Sequence, residues 1–281
     1  MDGEISAHYS IWVAKTDIPI KTLYFNTLEN FRDNTVMKFL SQLIDIIYPP
    51  RCHICSRFLS TDEKSPSSFH LCSSCLVSLT PITHPMCTVC GLPFPTSTGP
   101  DHLCENCLRK QPWYDFLRSP YLYSGPFMEC IQRFKYNMET HLISSLGHLL
   151  SSFAKEWIPN RKDFVIIPVP LHRRRLRERG FNQSLLLARI LALDLGNQLD
   201  YLSLIRNRYT RAQTGLKKKE RRKNVKDAFS IIHPDAIKHK KILLVDDVFT
   251  TGYTLNECAR TLKKSGATTV ICLTMARTLV N

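Results

Sequence analysis

The stretch that decides the fold is "KKILLVDDVFTTGYT", residues 240–254. Four apolar residues, Ile242, Leu243, Leu244 and Val245, run directly into two carboxylates, Asp246 and Asp247. Thr250, Thr251, Gly252 and Thr254 follow. A short unbroken apolar run reads as a strand buried on both faces, as in parallel sheets covered by helices. Carboxylates ending such a strand point into the crevice where open α/β sheets bind ligands. The turn then opens a helix over 254–265. Its backbone N–H groups, with the hydroxyls of Thr250, Thr251 and Thr254, can surround a phosphate. Gly252 lets the backbone approach closely and take a positive φ. Because carboxylates accept hydrogen bonds from vicinal hydroxyls, a ribose 5-phosphate fits both halves, with its diol on the acids and its phosphate in the turn. The alternative for the same residues is a strand-to-helix turn whose acids cap the helix or bind a metal.

Working outward, "DFVIIPVPL" (163–171) reads as a second buried strand and "ATTVICLTMA" (267–276) as a third. Helical spacing appears in "PFMECIQRFKYN" (126–137), over 139–157 and from about 184 to 195. Residues 113–125 read as strands around "YLYSG", and "YLSLIR" and "DAFSII" as strands flanking a basic stretch. Strands alternating with helices imply a parallel α/β sheet. Two basic loops are set between strands of that sheet. The first holds Arg173, Arg174, Arg175, Arg177 and Arg179, with Gly180 for a tight turn; the second is "RNRYTRAQTGLKKKERRKNVKDAF" (206–229). Arginine forks suit phosphate and pyrophosphate oxygens. The blander reading of both is a solvated charge run or plain nucleic-acid contact.

The 281 residues give room for one ordinary domain and a small module, and 43% hydrophobic residues are enough for a core. A net charge of +14 points to an anionic partner. Eight of the 11 cysteines form four C-x-x-C pairs: Cys52/Cys55, Cys72/Cys75, Cys87/Cys90 and Cys104/Cys107. Two thiolates from one tight turn reach one metal, and two such pairs complete a tetrahedral zinc site. Sequential pairing gives Cys52, Cys55, Cys72 and Cys75 one zinc, and Cys87, Cys90, Cys104 and Cys107 another, a double zinc ribbon; interleaved pairing stays open. Disulfides, redox chemistry and an iron–sulfur cluster are the competing readings. A reducing compartment disfavours the first, and four pairs exceed what the second needs. His53, His70 and His102 lie near enough to act as ligands, but eight thiols already fill two sites. Cys130, Cys258 and Cys272 read as buried free thiols. Without a signal peptide pattern or a run apolar enough to span a bilayer, the chain reads as cytoplasmic.

"ILLVDDVFTTGYT" closely resembles the phosphoribosyl-diphosphate (PRPP) motif of type I phosphoribosyltransferases, with Phe249 in an aliphatic slot as a departure. Over roughly 37–277 the chain resembles the ComF/GntX phosphoribosyltransferase-like proteins. The resemblance rests on the helix before "PPRCHIC", the cysteine pairs, "FKYN", "PVPL" with "RERGFNQS", the second basic loop and the PRPP motif. It implies a type I phosphoribosyltransferase fold with a small N-terminal double zinc ribbon. It also implies PRPP binding with Mg²⁺, with Asp246 and Asp247 as catalytic residues and Val248, Phe249, Thr250, Thr251, Gly252, Tyr253 and Thr254 as the 5-phosphate loop. Arg173, Arg174, Arg179 and Gly180 are implied at the pyrophosphate. Arg208, Thr210, Gln213, Arg221 and Asn224 match the family's flexible loop. Phe181, Asn182 and Gln183 complete the middle motif, and Lys135 and Tyr136 fall at the family's "KY" position. The family links such proteins to competence and the uptake or handling of single-stranded DNA, with a DNA-uptake helicase or recombination proteins as partners.

The expected organisation is an extension over 1–36, an amphipathic helix over 37–50, a double zinc ribbon over 51–110 and a phosphoribosyltransferase-like domain over 111–281. Helical spacing begins only at Met37, and translation is expected to start there rather than at Met1. Three functions are compatible with this reading. One is phosphoribosyl transfer to an acceptor, such as single-stranded DNA or another anion. The second is a non-catalytic adaptor that binds single-stranded DNA through the phosphate sites, and the third is a PRPP sensor. Only "TLVN" follows Arg277, so the acceptor site is expected in the zinc module and residues 111–136. There Trp113, Tyr114, Phe116, Tyr121 and Tyr123 either stack on bases or fill the core.

Overall fold

The computed structural model describes residues 48–59, 70–96, 98–137, 139–209 and 225–279. The expected extension over 1–36, the expected helix up to residue 47, and Thr210, Gln213, Arg221 and Asn224 lie outside these. Residues 48–50 are not helical.

Two short helices, α1 (Ser73–Ser78) and α2 (Glu105–Arg109), belong to the cysteine-rich region. Then come β1 (Phe116–Arg118), β2 (Tyr121–Leu122), α3 (Gly125–Tyr136), α4 (Leu142–Trp157), β3 (Phe164–Pro168), α5 (Arg173–Arg179) and α6 (Gln183–Leu195). The chain ends with β4 (Leu204–Arg206), β5 (Phe229–Ile231), β6 (Lys241–Phe249), α7 (Tyr253–Lys264) and β7 (Thr269–Arg277). The main sheet is parallel throughout, in the order β1–β7–β6–β3, with β2 pairing further along β7.

The apolar runs are continuous because the sheet is covered on both faces. Phe164, Ile166, Leu243, Val245, Ile271 and Leu273 pack into the core shared with α3, α4 and α6. Their alternating neighbours Val165, Ile167, Ile242, Leu244, Val270 and Cys272 pack into a second core with α7, Tyr114 and Leu117. The side-chain period of two distributes one run between two cores. Between α4 and α6 the close approach depends on Gly147: a Cβ there would lie 2.7 Å from Ile190 Cδ1. His148 Nδ1, 2.7 Å from Asp194 Oδ2, ties the same two helices together. Among the described residues no helix is long and apolar enough to cross a membrane.

Three expectations need correction. Strand β6 does not end at the carboxylates; it runs through them to Phe249, which pairs with Arg277. The first basic loop is the helix α5, because the His172 side chain accepts from Arg174 N at 3.2 Å and Gly180 closes it at φ 78°. Strands β4 and β5 pair with each other, antiparallel, outside the main sheet, so the second basic loop does not join strands of that sheet. The region around the first two cysteine pairs packs directly onto the helices that cover the sheet. Cys52, Ile54, Leu59, Leu71, Cys72, Cys75 and Leu79 pack in one cluster with Phe127, Leu146 and Leu150.

Candidate functional site

The eight paired cysteines gather sequentially. Cys52, Cys55, Cys72 and Cys75 form one group and Cys87, Cys90, Cys104 and Cys107 the other, with the Sγ atoms of each group within 4.8 Å of one another. Cys55 and Cys72 sulfurs are 3.7 Å apart and those of Cys90 and Cys104 3.6 Å. Four thiolates at about 2.3 Å from one zinc are about 3.8 Å from each other, so both donor sets fit the ion. Backbone N–H groups point at the same sulfurs: Cys72 N to Cys52 Sγ at 3.4 Å and Cys104 N to Cys87 Sγ at 3.3 Å. The nearby histidines stand apart from these groups. His53 stacks on His70 and bonds Ser145 Oγ at 2.9 Å, while His102 stacks on Phe94.

The acidic pair sits where β6 passes beneath α3 and α6. Asp247 continues the row of Leu243 and Val245 toward α3, from which Lys135 reaches it, Nζ to Oδ1 3.1 Å. Both side chains are about 15% exposed, at 15% and 14%. Burial alone would lower the Lys135 pKa, but Asp247 and Tyr123 hold it above the ordinary lysine value. Asp246 accepts from Ser184 Oγ at 2.7 Å and from the N–H of Asp247 at 2.9 Å. Burial, and then the charge of Asp247, push its pKa up to about 7 against the opposing pull of Ser184, the Asp247 N–H and Lys135. Arg206 on β4 also feels the Asp246 charge.

Val248 and Phe249 are strand residues with buried side chains, not loop residues. The turn proper is Thr250, Thr251 and Gly252, with Tyr253 and Thr254 in the first turn of α7. Gly252 adopts φ +72°, and a Cβ on it would lie 2.6 Å from the Phe249 ring. The aromatic ring in an otherwise aliphatic slot thus lies directly against the glycine. Thr251 Oγ1 is shut away from solvent with no hydrogen-bond partner.

The middle motif joins the acidic pair through a line of polar contacts. Arg179 Nη1 donates to Gln183 Oε1 at 3.2 Å, and Gln183 Nε2 to the carbonyl of Lys135 at 3.3 Å. Arg179 also lies over the Tyr136 ring. Asn182 caps α6 by accepting from Ser184 N at 3.1 Å, and anchors to the Val169 carbonyl. Arg173 and Arg174 are exposed on α5, and Gly180 is exposed at its end. Arg174 pairs with Glu178 and stacks over Tyr209, which also meets the His172 ring. The two basic segments therefore touch at Tyr209. Arg208 donates to the Lys226 carbonyl across the base of the second one. Of the aromatics proposed for stacking, Tyr114 is core, and Phe116, Tyr121 and Tyr123 pack against the core; Trp113 is 46% exposed.

Sequence reasoning missed Ser184 and Arg206, and placed Lys135 only by resemblance. The spacing of α3 offers a signal for the lysine: Lys135 is one residue from buried Phe134, at the edge of the apolar face.

Family models match in two places: a double zinc ribbon domain over residues 43–108 and a phosphoribosyl transferase domain over residues 182–279. The chain is 35% identical over 213 residues to competence protein F of Haemophilus influenzae, covering 74% of this chain and 90% of that one. It is 33% identical over 235 residues to DNA utilization protein YhgH of Escherichia coli O157:H7, covering 81% and 90%. To competence protein ComFC of Bacillus subtilis it is 30% identical over 226 residues, covering 78% and 86%.

Proposed function

We propose, from the premise that this chain belongs to the family of competence protein F, ComFC and YhgH, that its acidic pair and threonine turn bind PRPP. Asp246 and Asp247 receive the ribose hydroxyls. Thr250, Thr251, Gly252, Tyr253 and Thr254 surround the 5-phosphate at the N-terminus of α7, where backbone N–H groups and the helix dipole favour an anion. Arg173, Arg174, Arg179 and Gly180, with Arg208, Thr210, Gln213, Arg221 and Asn224, take the pyrophosphate.

The observation that carries this reading is the buried Thr251 hydroxyl without a partner. Leaving such a group unsatisfied costs about 1–3 kcal/mol, and a phosphate oxygen in the turn would satisfy it. The two carboxylates offer the oxygen donors of a hard cation, and Asp246, whose pKa is raised first by burial, also feels the charge of Asp247 beside it, a repulsion that a cation between them would relieve. Asp246 and Asp247 are the residues that would hold Mg²⁺ there, and when bound it supplies neutralisation of the pyrophosphate charge. Lys135 orients Asp247, and Ser184 fixes the Asp246 carboxylate. In turnover the bond from ribose C1 to pyrophosphate breaks as an acceptor nucleophile attacks C1, with the second basic loop excluding water.

Calorimetric titration with PRPP and Mg²⁺ tests the site. Wild type should bind, and the double variant Asp246→Asn with Asp247→Asn should lose more than tenfold in affinity. Absence of binding by wild type ends the reading. Acceptor-dependent release of pyrophosphate measures turnover; PRPP binding without release from any acceptor is the behaviour of a sensor.

A second reading has its own support. The chain carries +14 charges, Arg173, Arg174 and Arg177 are exposed on α5, and relatives are named for competence and DNA utilization. On this reading the protein is an adaptor for single-stranded DNA. The salt dependence of oligonucleotide binding separates the two: a steep slope that survives loss of both aspartates assigns DNA to a surface other than the PRPP site.

A further inference from the structure

Arg277 heads the fully buried side chains by volume, and the ligand chemistry above makes no use of it. It closes β7 at 1% exposure, and among the described residues no carboxylate pairs with it. Instead Nη1 donates to the carbonyl of Cys90 and lies 3.9 Å from Cys90 Sγ. Nε donates to the Thr278 carbonyl at 3.4 Å, and the guanidinium lies 5.0 Å over the Phe249 ring. A buried cation persists where negative charge compensates it. Zinc held by four thiolates is a net anion, and the second cysteine group places one beside Arg277.

The opposite face of the connection is the ligand loop. The Phe249 ring occupies the space a Cβ on Gly252 would need, 2.6 Å away. Thr278, next in the chain, donates its N–H to the Phe249 carbonyl at 2.9 Å and its hydroxyl to the Thr250 carbonyl at 3.5 Å. Cys90, Arg277, Phe249 and Gly252 thus form an unbroken line of direct contacts from the second cysteine group to the turn.

We propose that Arg277 is a positioning residue through which zinc at Cys87, Cys90, Cys104 and Cys107 shapes the phosphate turn. Affinity for PRPP then depends on occupancy of this second site and not of the first. The proposal rests on the reading of the turn as a PRPP site. Coupling between sites is reciprocal and typically about 5- to 150-fold, so bound PRPP must tighten zinc binding at the second site by the same factor.

The test uses the full-length, zinc-loaded chain under a chelator and a thiol-alkylating reagent, with labelling of Cys90 and Cys104 followed against that of Cys55 and Cys75 by mass spectrometry. PRPP binding is measured calorimetrically on the same sample. PRPP with Mg²⁺ should slow labelling at the second site about fivefold or more and leave the first unchanged. Arg277→Lys keeps the charge but loses the planar fork that meets both the Cys90 carbonyl and the ring; it should hold both zinc ions yet bind PRPP at least fivefold more weakly, without protection. Phe249→Leu leaves Arg277 and all eight cysteines in place and should also abolish protection. A wild type that binds PRPP with equal protection at both sites, or with none, overturns the coupling alone. So does an Arg277→Lys or Phe249→Leu chain with wild-type protection. A wild type that binds no PRPP overturns the reading of the turn, and the coupling with it.

Discussion

Replacing Asp246 with Asn should stabilise the protein while it removes the proposed ligand site. Asp246 titrates at about 7 instead of 3.8, mainly because it is buried and lies beside Asp247. About three pKa units at 1.36 kcal/mol each make the ionised side chain about 4 kcal/mol worse in the native state than in the unfolded chain. Asn retains an oxygen to accept from Ser184 and from the Asp247 N–H, so those two hydrogen bonds survive. The pull of Lys135 is already counted in that pKa, but the amide NH₂ of Asn must find acceptors in the same buried place, which returns part of the gain. A net stabilisation of about 2 kcal/mol remains, or roughly 4–8 °C in Tm for a domain of this size.

The pH dependence makes the reasoning refutable. Native Asp246 keeps its proton up to about pH 7, whereas the unfolded chain releases it near pH 4. Between those values the native state binds more protons, so this group lowers wild-type stability as pH rises and then levels off above pH 7. The variant lacks the group. Its advantage should be absent below about pH 4, grow through pH 5 and 6, and be complete at pH 8. Thermal melts at fixed zinc saturation, without Mg²⁺ or PRPP, measure it. A variant that melts below wild type at pH 8, or an offset that does not change between pH 5 and 8, would show that Asp246 is not held at a cost.

Other perturbations separate the parts of the molecule. Gly252→Ala places a Cβ 2.6 Å from the Phe249 ring at φ +72°; denaturant titration should show a loss of about 1–3 kcal/mol, and calorimetry a loss of PRPP affinity. Glu139 is held below the usual carboxylate range by Arg133, with which it makes bonds of 2.8 and 3.1 Å. Glu139→Gln should cost about 1 kcal/mol at pH 7, and the two proteins should converge as pH falls below about 4, where wild type loses the pair. Elemental analysis should find about two zinc per chain. Cys52→Ser should lower the melting temperature of the whole chain more than Cys104→Ser, because Cys52 shares the main core with Leu146 and Leu150 while Cys104 packs in a small cluster of its own.

What the sequence revealed and what it hid follow from the range of each interaction. The apolar run before Asp246 and the threonine turn after it are local, and so are the two-residue spacings of the cysteines; each states its own structure. The length of β6 was less legible, because aspartates disfavour strands in isolation and only pairing with β7 carries the strand through them. The run Arg173–Arg179 reads as a solvated loop until one sees that His172 and Gly180 cap it. Lys135 meets Asp247 across 112 positions, Ser184 meets Asp246 across 62, and Arg277 meets Cys90 across 187. No spacing rule reaches that far. These same long-range contacts separate the roles of the two cysteine groups. The first lies within the core of the sheet and its helices, and its loss should be felt as instability. The second meets the sheet at β1, where Leu117 N donates to the Val89 carbonyl at 2.7 Å, and through Arg277 at the strand end that carries the turn. A cation there has no structural need for a neighbouring ligand loop, since any apolar side chain would fill the volume without the burden of a buried charge. That the chain holds an arginine in this position, between a thiolate cluster and Phe249, is the reason to look for function rather than stability in the second site.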